Sequence, residues 1–198
     1  MHLVVDDKAL EADKLGLKTV GEVLSHLQRE NRLVVHVLID GKEPDLAGLP
    51  AIRASMLKNH TVYIETADPR KMANEVLDEV SQQLEEADRL RADAVALLQC
   101  NSHTQAMQKL SGCFTTWSHA EESIRKVAQL LRIDLSRIMI DGKPFTDVLA
   151  SFVDQFRNIR SALEDRDFVA LSDTLAYEAT QTTRQWKDAV AAMRGMIA

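Results

Sequence analysis

His119 and Glu122 are ligand-type side chains three residues apart in a stretch of helical periodicity, a spacing that puts both on one face of a helix. Helical bundles that hold two metals use Glu-x-x-His on two helices plus further glutamates. Here the order is reversed and no second pair completes a site, so His119 reads as a solvated or partly buried histidine and no metal is expected. The chain has no Cys-x-x-Cys, no Gly-x-Gly-x-x-Gly and no phosphate-binding loop among its seven glycines, so no cofactor is expected either. Hydrolytic triads assemble only in space, but no serine sits in a Gly-x-Ser-x-Gly setting. These residues point away from an enzyme.

The run Ala176-Tyr-Glu-Ala-Thr-Gln-Thr-Thr183 interrupts large apolar residues with small and hydroxylated ones. Such a run lets helices approach closely or leaves space for a partner side chain. Tyr177 and Glu178 flank it, and with Trp117 they are the candidates for lining a pocket. Arg91 falls on the apolar register of its own segment, where an ion pair with Glu178 would set helix register. Cys100 and Cys113 lie on either side of a turn at 101–103, which places them roughly 15 Å apart at ~1.5 Å per residue, beyond disulfide reach. Both are expected to be reduced, with Cys113 in the core.

The 198 residues are 45% hydrophobic, enough for one or two cores. Residues 1–68 carry 8 Lys/Arg against 11 Asp/Glu and residues 69–198 carry 16 against 19, so each part is acidic by three. Nucleic-acid binding needs a basic surface that displaces counterions, so neither part is expected to bind it. No apolar stretch approaches the ~20 residues that span a bilayer, and the opening MHLVVDDKAL lacks a charged leader followed by an apolar run. The expectation is a cytoplasmic protein of bacterial type with no membrane partner.

The first part reads as strands around a helix. Leu3–Val5 is a short β-prone run. Val20, Val23, Leu24 and Leu27 make a helical stripe that Thr19 can cap. Residues 32–40 (RLVVHVLID) are rich in β-branched residues and run into Asp40-Gly41, a strand followed by a turn, and a last strand spans Thr61–Thr66 before Asp68-Pro69. A helix opening Thr-Val-x-x-Val, a strand running into Gly41-Lys42 and a strand introduced by Lys58-Asn-His-Thr-Val give an order that resembles the ubiquitin-like β-grasp fold, over about a third of the chain. The resemblance implies that Val37, Ile39, Val62 and Ile64 point into the core. It leaves Val34, His36, Leu38 and Tyr63 on the outer sheet face, where ubiquitin-like domains commonly bind partners. The chain departs from ubiquitin-type modifiers in its end, Gly195-Met-Ile-Ala198, which is not a diglycine tail.

Four helical segments are expected after residue 68. Ala106, Leu110, Cys113, Trp117, Ala120, Ile124, Val127 and Leu131 recur at four-three spacing, and Phe145, Leu149, Phe152, Phe156, Ile159 and Leu163 repeat the rhythm. A segment opened by Asp68-Pro69 carries Leu77, Val80, Leu84, Ala87, Ala94 and Leu98; the last carries Phe168, Leu171, Leu175, Ala179, Thr182, Trp186, Ala189 and Met193. With short turns at 101–103 and 165–167, these seams predict an antiparallel four-helix bundle. The connector at 133–144 is expected to cross one end of it, and its Ile140-Asp-Gly-Lys143 echoes Ile39-Asp-Gly-Lys42 as shared turn chemistry.

The fold expectation is therefore α+β, a β-grasp-like domain at 1–68 followed by a four-helix bundle at 69–198. The functional expectation is a non-enzymatic protein–protein interaction or assembly module that binds a protein partner or a second copy as a homodimer through Val34, His36, Leu38 and Tyr63. The alternatives are a helical-bundle chaperone for export or assembly of another protein, and a small-molecule-binding protein or enzyme using Trp117, Tyr177 and Glu178.

Overall fold

A computed structural model describes residues 2–45 and 48–197, so Met1 and Ala198, which bound the terminal runs discussed above, lie outside it. The chain is α+β and divides into two compact units, residues 1–72 and 73–198.

In the first unit β1 (His2–Val5), β2 (Lys8–Ala9), β3 (Leu33–Ile39) and β4 (Thr61–Ala67) form a mixed sheet in the order β2-β1-β4-β3. β1 runs parallel to β4, and the other two pairings are antiparallel. Strand β2 is two residues long and carries no apolar alternation, so the polar stretch after Val5 hid it. Its turn places Asp6 and Asp7 at φ 48 and 61, a conformation that aspartate tolerates better than most residues.

Helix α1 (Val20–Arg29) starts at a full capping box: the Glu22 N–H donates to Thr19 Oγ1, and the Thr19 N–H donates to the Glu22 carboxylate. Val20, Val23 and Leu27 of α1 bury against Leu3, Val5, Val62 and Ile64. The short helix α2 (Leu49–Ala54) and a 3-10 turn at Leu57–Asn59 lead into β4.

The register of β3 on β4 shifts between Val34 and His36, where the strand bulges at Val35. The bulge reverses the alternation on its N-terminal side. Val37 and Ile39 turn inward as expected, but so does Val34, which packs on the core with them. Val34 is therefore not on the outer face with His36, Leu38 and Tyr63, because strict alternation carried it to the wrong side.

In the second unit α3 (Pro69–Gln99), α4 (His103–Leu131), α5 (Phe145–Glu164), α6 (Phe168–Asp173) and α7 (Ala179–Ile197) contribute to two apolar clusters. Asp68 accepts from the Arg70 N–H at 2.8 Å, capping α3 ahead of its first-turn Pro69. The expected seams are buried in all four segments, with Phe156, Leu131, Leu163 and Phe168 only half-buried. Between α4 and α5 lie a 3-10 turn (Leu135–Arg137) and a hairpin of β5 (Met139–Ile140) and β6 (Lys143–Pro144). Asp40-Gly41 and Asp141-Gly142 have matching positive φ values, 53 and 77 against 51 and 79, so the repeated tetrapeptide makes the same tight turn twice.

Between α6 and α7, Thr174–Glu178 forms a π turn. The Ala179 N–H donates to the Thr174 carbonyl, five residues back, instead of to Leu175, its α-helical acceptor. Among the described residues no helix is long and apolar enough to cross a membrane.

Candidate functional site

An open groove of about 550 Å³ lies in the first unit between α1 and the outer edge of β3. Its floor and walls are mainly apolar, from Val20 and Leu24 on α1, Val35 and Val37 on β3, and Ile52 on α2, with Arg53 at its rim. Three local features shape it. First, β3 is the last strand of the sheet, so among the described residues one side of its backbone has no neighbouring strand. Second, the type of turn at Asp40-Gly41 returns the chain at once, and Ile39 pairs with Lys42 through N–H to carbonyl bonds of 2.9 and 3.1 Å. Third, α2 sits close on α1 because Gly21 has no side chain: a Cβ there would lie 2.8 Å from the Arg53 carbonyl oxygen.

One end of the groove is anchored by ionic contacts. Arg32 pairs with Asp6 and donates to Thr66 Oγ1 at 3.0 Å; Asp6 accepts from both the N–H and the hydroxyl of Thr66 at 2.7 Å. These Thr66 bonds, with Arg32 adding to them, hold the Asp6 carboxyl below the usual carboxylate range. The arrangement ties the β1–β2 turn, the start of β3 and the end of β4 together.

His36, Leu38 and Tyr63 share the outer face, Leu38 directly opposite Tyr63. The two polar members there are committed. The Tyr63 hydroxyl lies 3.0 Å from Asp7 and 3.2 Å from Glu65, and the Asp7 bond first, then burial, pushes the phenol up to about 12. His36 Nε2 lies 2.9 Å from Glu43, and its Nδ1 lies 3.9 Å from Glu65.

In the second unit Trp117, Tyr177 and Glu178 do not converge. Trp117 is buried among Phe114, Phe152 and Phe156, with ring centroids 5.3 to 6.2 Å away. Tyr177 is 75% exposed. Glu178 opens onto a polar surface cavity of about 390 Å³ shared with Asp147, Gln155 and Thr182. A pocket built on these three is thus corrected: Trp117 is spent on the aromatic core, and Tyr177, two residues from both Leu175 and Ala179, faces solvent on the opposite side of the helix. Nor does Arg91 reach Glu178. It donates to Asp88 at 2.9 and 3.0 Å and to the Leu175 carbonyl at 3.0 Å, the acceptor that Ala179 bypasses. Thr182 donates to Gln155 Oε1 at 3.0 Å and lies 3.2 Å from the Glu178 carbonyl oxygen, so the hydroxylated run serves helix contacts.

The cysteines are both free, Cys100 exposed and Cys113 buried. Cys113 donates to the Ala87 carbonyl, and burial pushes its thiol up to about 12. Among the described residues no three His, Cys, Asp or Glu side chains are grouped so as to hold a metal ion.

Sequence reasoning missed Leu24, Val35, Ile52 and Arg53 as groove residues. The available signal was the Asp40-Gly41 turn followed so soon by Pro44: a residue without an N–H cannot extend a further strand along β3, which leaves that edge open.

A family model described as "Domain of unknown function (DUF8042)" matches residues 71–189. No curated protein and no solved structure matches the chain. The matched span lies almost wholly in the helical unit.

Proposed function

As a member of the DUF8042 family through its helical part, the chain is, we propose, a non-enzymatic protein-interaction module. Its first unit is read as a ubiquitin-like β-grasp that recruits a protein partner, and its second as a four-helix bundle that carries the recruiter. Parallel β1 and β4 bridged by a crossover that includes α1, with β3 antiparallel at the side, support the β-grasp reading. Four seams joined by tight turns support the bundle.

The observation that carries the interaction reading is the apolar groove open along the β3 edge. An edge strand beside an apolar groove is a surface that proteins otherwise blunt with charge, proline or a covering element. The strand itself, Leu33–Ile39, has only apolar residues besides His36. This moves the binding surface from the outer sheet face, where Tyr63 and His36 are tied to carboxylates, to the edge and groove next to it.

Affinity capture from the cells that produce the protein tests this, comparing the wild type with Val35→Lys and Leu38→Asp, each checked for folding by circular dichroism. Val35 is 48% exposed, so a lysine there is tolerated by the core and blocks the edge. The reading requires a partner held by the wild type and by Leu38→Asp and lost from Val35→Lys. Loss from Leu38→Asp alone would return the surface to the outer face, and a set of bound proteins indifferent to both changes would overturn the reading.

A further inference from the structure

The groove's chemistry narrows what occupies it, an inference that rests on the interaction reading above. We infer that the occupant is an extended peptide segment that adds to the sheet along β3, places aliphatic side chains in the groove at alternate positions, and brings a carboxylate to Arg53.

The backbone argument comes from the turn. Ile39 directs both its N–H and its carbonyl to Lys42. Backbone direction in a strand alternates with period two, so the N–H and carbonyl of Val37 point to the same side, away from β4. The next residue in register is Pro44, which has no N–H to give the Val37 carbonyl, and among the described residues its own carbonyl takes no bond from the Val37 N–H. Among the described residues the pairing stops at Ile39 and Lys42. A donor and an acceptor on Val37 are left for an added strand, which is the mode by which exposed sheet edges take peptides.

The side-chain argument comes from the walls. The volume of about 550 Å³ falls in the range of roughly 300 to 1,000 Å³ typical of ligand clefts. Its apolar residues on α1 and α2 stand across from the edge, where every second side chain of an added strand would point. Of the charges that line it, Arg32 is paired with Asp6 and Glu43 with His36. Arg53 is exposed and pairs with no carboxylate among the described residues. A guanidinium at the groove without a carboxylate calls for an acidic residue in the partner. A second copy of β3 would satisfy the edge but brings no carboxylate, since Leu33–Ile39 contains none.

The test is selection of a random nine-residue peptide library displayed on phage against the full chain, with counter-selection against Val35→Lys. Recovered peptides should alternate aliphatic residues and contain Asp or Glu. By fluorescence polarisation they should bind Arg53→Glu roughly tenfold more weakly, and changing their acid to Lys should restore binding to that variant. Gln28→Glu, on the groove's α1 wall, should weaken the acidic peptides likewise and serves if Val35→Lys fails to fold. Peptides that depend on Val35 but not on Arg53 would overturn the acidic partner while leaving the interaction module standing. No edge-dependent peptide, alongside a Val35-dependent partner in the capture experiment, would overturn the strand occupant alone. A dimer by light scattering that Val35→Lys converts to monomer would assign the edge to a second copy and overturn the proposal.

Discussion

Replacing Arg91 with Met tests whether the π turn depends on one buried cation. Arg91 is 8% exposed and lies on the apolar register of α3. Its guanidinium makes two bonds to Asp88, on its own helix, and one to the Leu175 carbonyl. Met has similar length and no donor. Removing the cation leaves the Leu175 oxygen buried and unanswered, because Ala179 donates to Thr174 instead. A buried acceptor without a partner costs about 1–3 kcal/mol, and a hydrogen bond from a charged donor is worth about 1.5–3. Relief of the guanidinium's own desolvation offsets part of that, and Asp88, more than a third exposed, rehydrates. The net expectation is a loss of about 1–2 kcal/mol. The helix cannot recover by reverting to α geometry, since removing the extra residue would rotate Thr182, Trp186 and Ala189 off the core by ~100°. The chain's two tryptophans, Trp117 and Trp186, are both buried in the helical unit, so tryptophan fluorescence in a urea titration reports on that unit. With a slope of about 2 kcal/mol per molar, the midpoint should fall by roughly 0.5–1 M. A midpoint unchanged within about 0.2 M would refute the dependence of the turn on Arg91.

Three further changes probe other links. Gly21→Ala should destabilise the first unit by about 1–3 kcal/mol despite alanine's better helix propensity, because the added Cβ meets the Arg53 carbonyl at 2.8 Å; a thermal melt at or above the wild type would count against the close approach. The Asp6 carboxyl is depressed in the folded state, so its stabilising effect is present above the unfolded value near 3.8 and is lost as pH falls through the lower folded value. Asp6→Asn should therefore flatten the acid limb of stability below about pH 4, read by amide exchange at Val62 and Ile64, and an identical limb in the variant would show that the Thr66 and Arg32 bonds contribute nothing. With the Cys113 thiol pushed up to about 12 inside the core, a thiol reagent at pH 8 should titrate one cysteine in the native protein and two in urea; two fast equivalents without urea would contradict the burial.

How much was legible depends on whether a pattern is local. In α4 the residues at four-three spacing from Ala106 to Val127 are those buried, since a regular helix repeats its inward face by counting alone. The same holds for Val20, Val23 and Leu27 of α1 and for Thr19 as its cap. Counting fails where a segment contains one residue more than the regular repeat. At Val35 the extra residue turns Val34 inward; at Thr174–Glu178 it frees a carbonyl for Arg91. The trace of the second was present in the spacing of Leu171, Leu175 and Ala179, four and four instead of four and three, which also suits an unbroken helix.

The sequence by itself determined the α+β class, the placement of strands and helix before a run of long helices, the twin Asp-Gly turns and the core side of nearly every helix, because each follows from propensities and periods among residues close in the chain. Only the tertiary structure decided which strand is left at the edge, which face Val34 joins, what answers Arg91 and where an open groove lies. Those depend on contacts between residues far apart in sequence, such as Gly21 with Arg53, Asp6 with Thr66 and Arg91 with Leu175. No local pattern encodes the geometry of such pairs, since each partner's position is set by the packing of the elements that carry it.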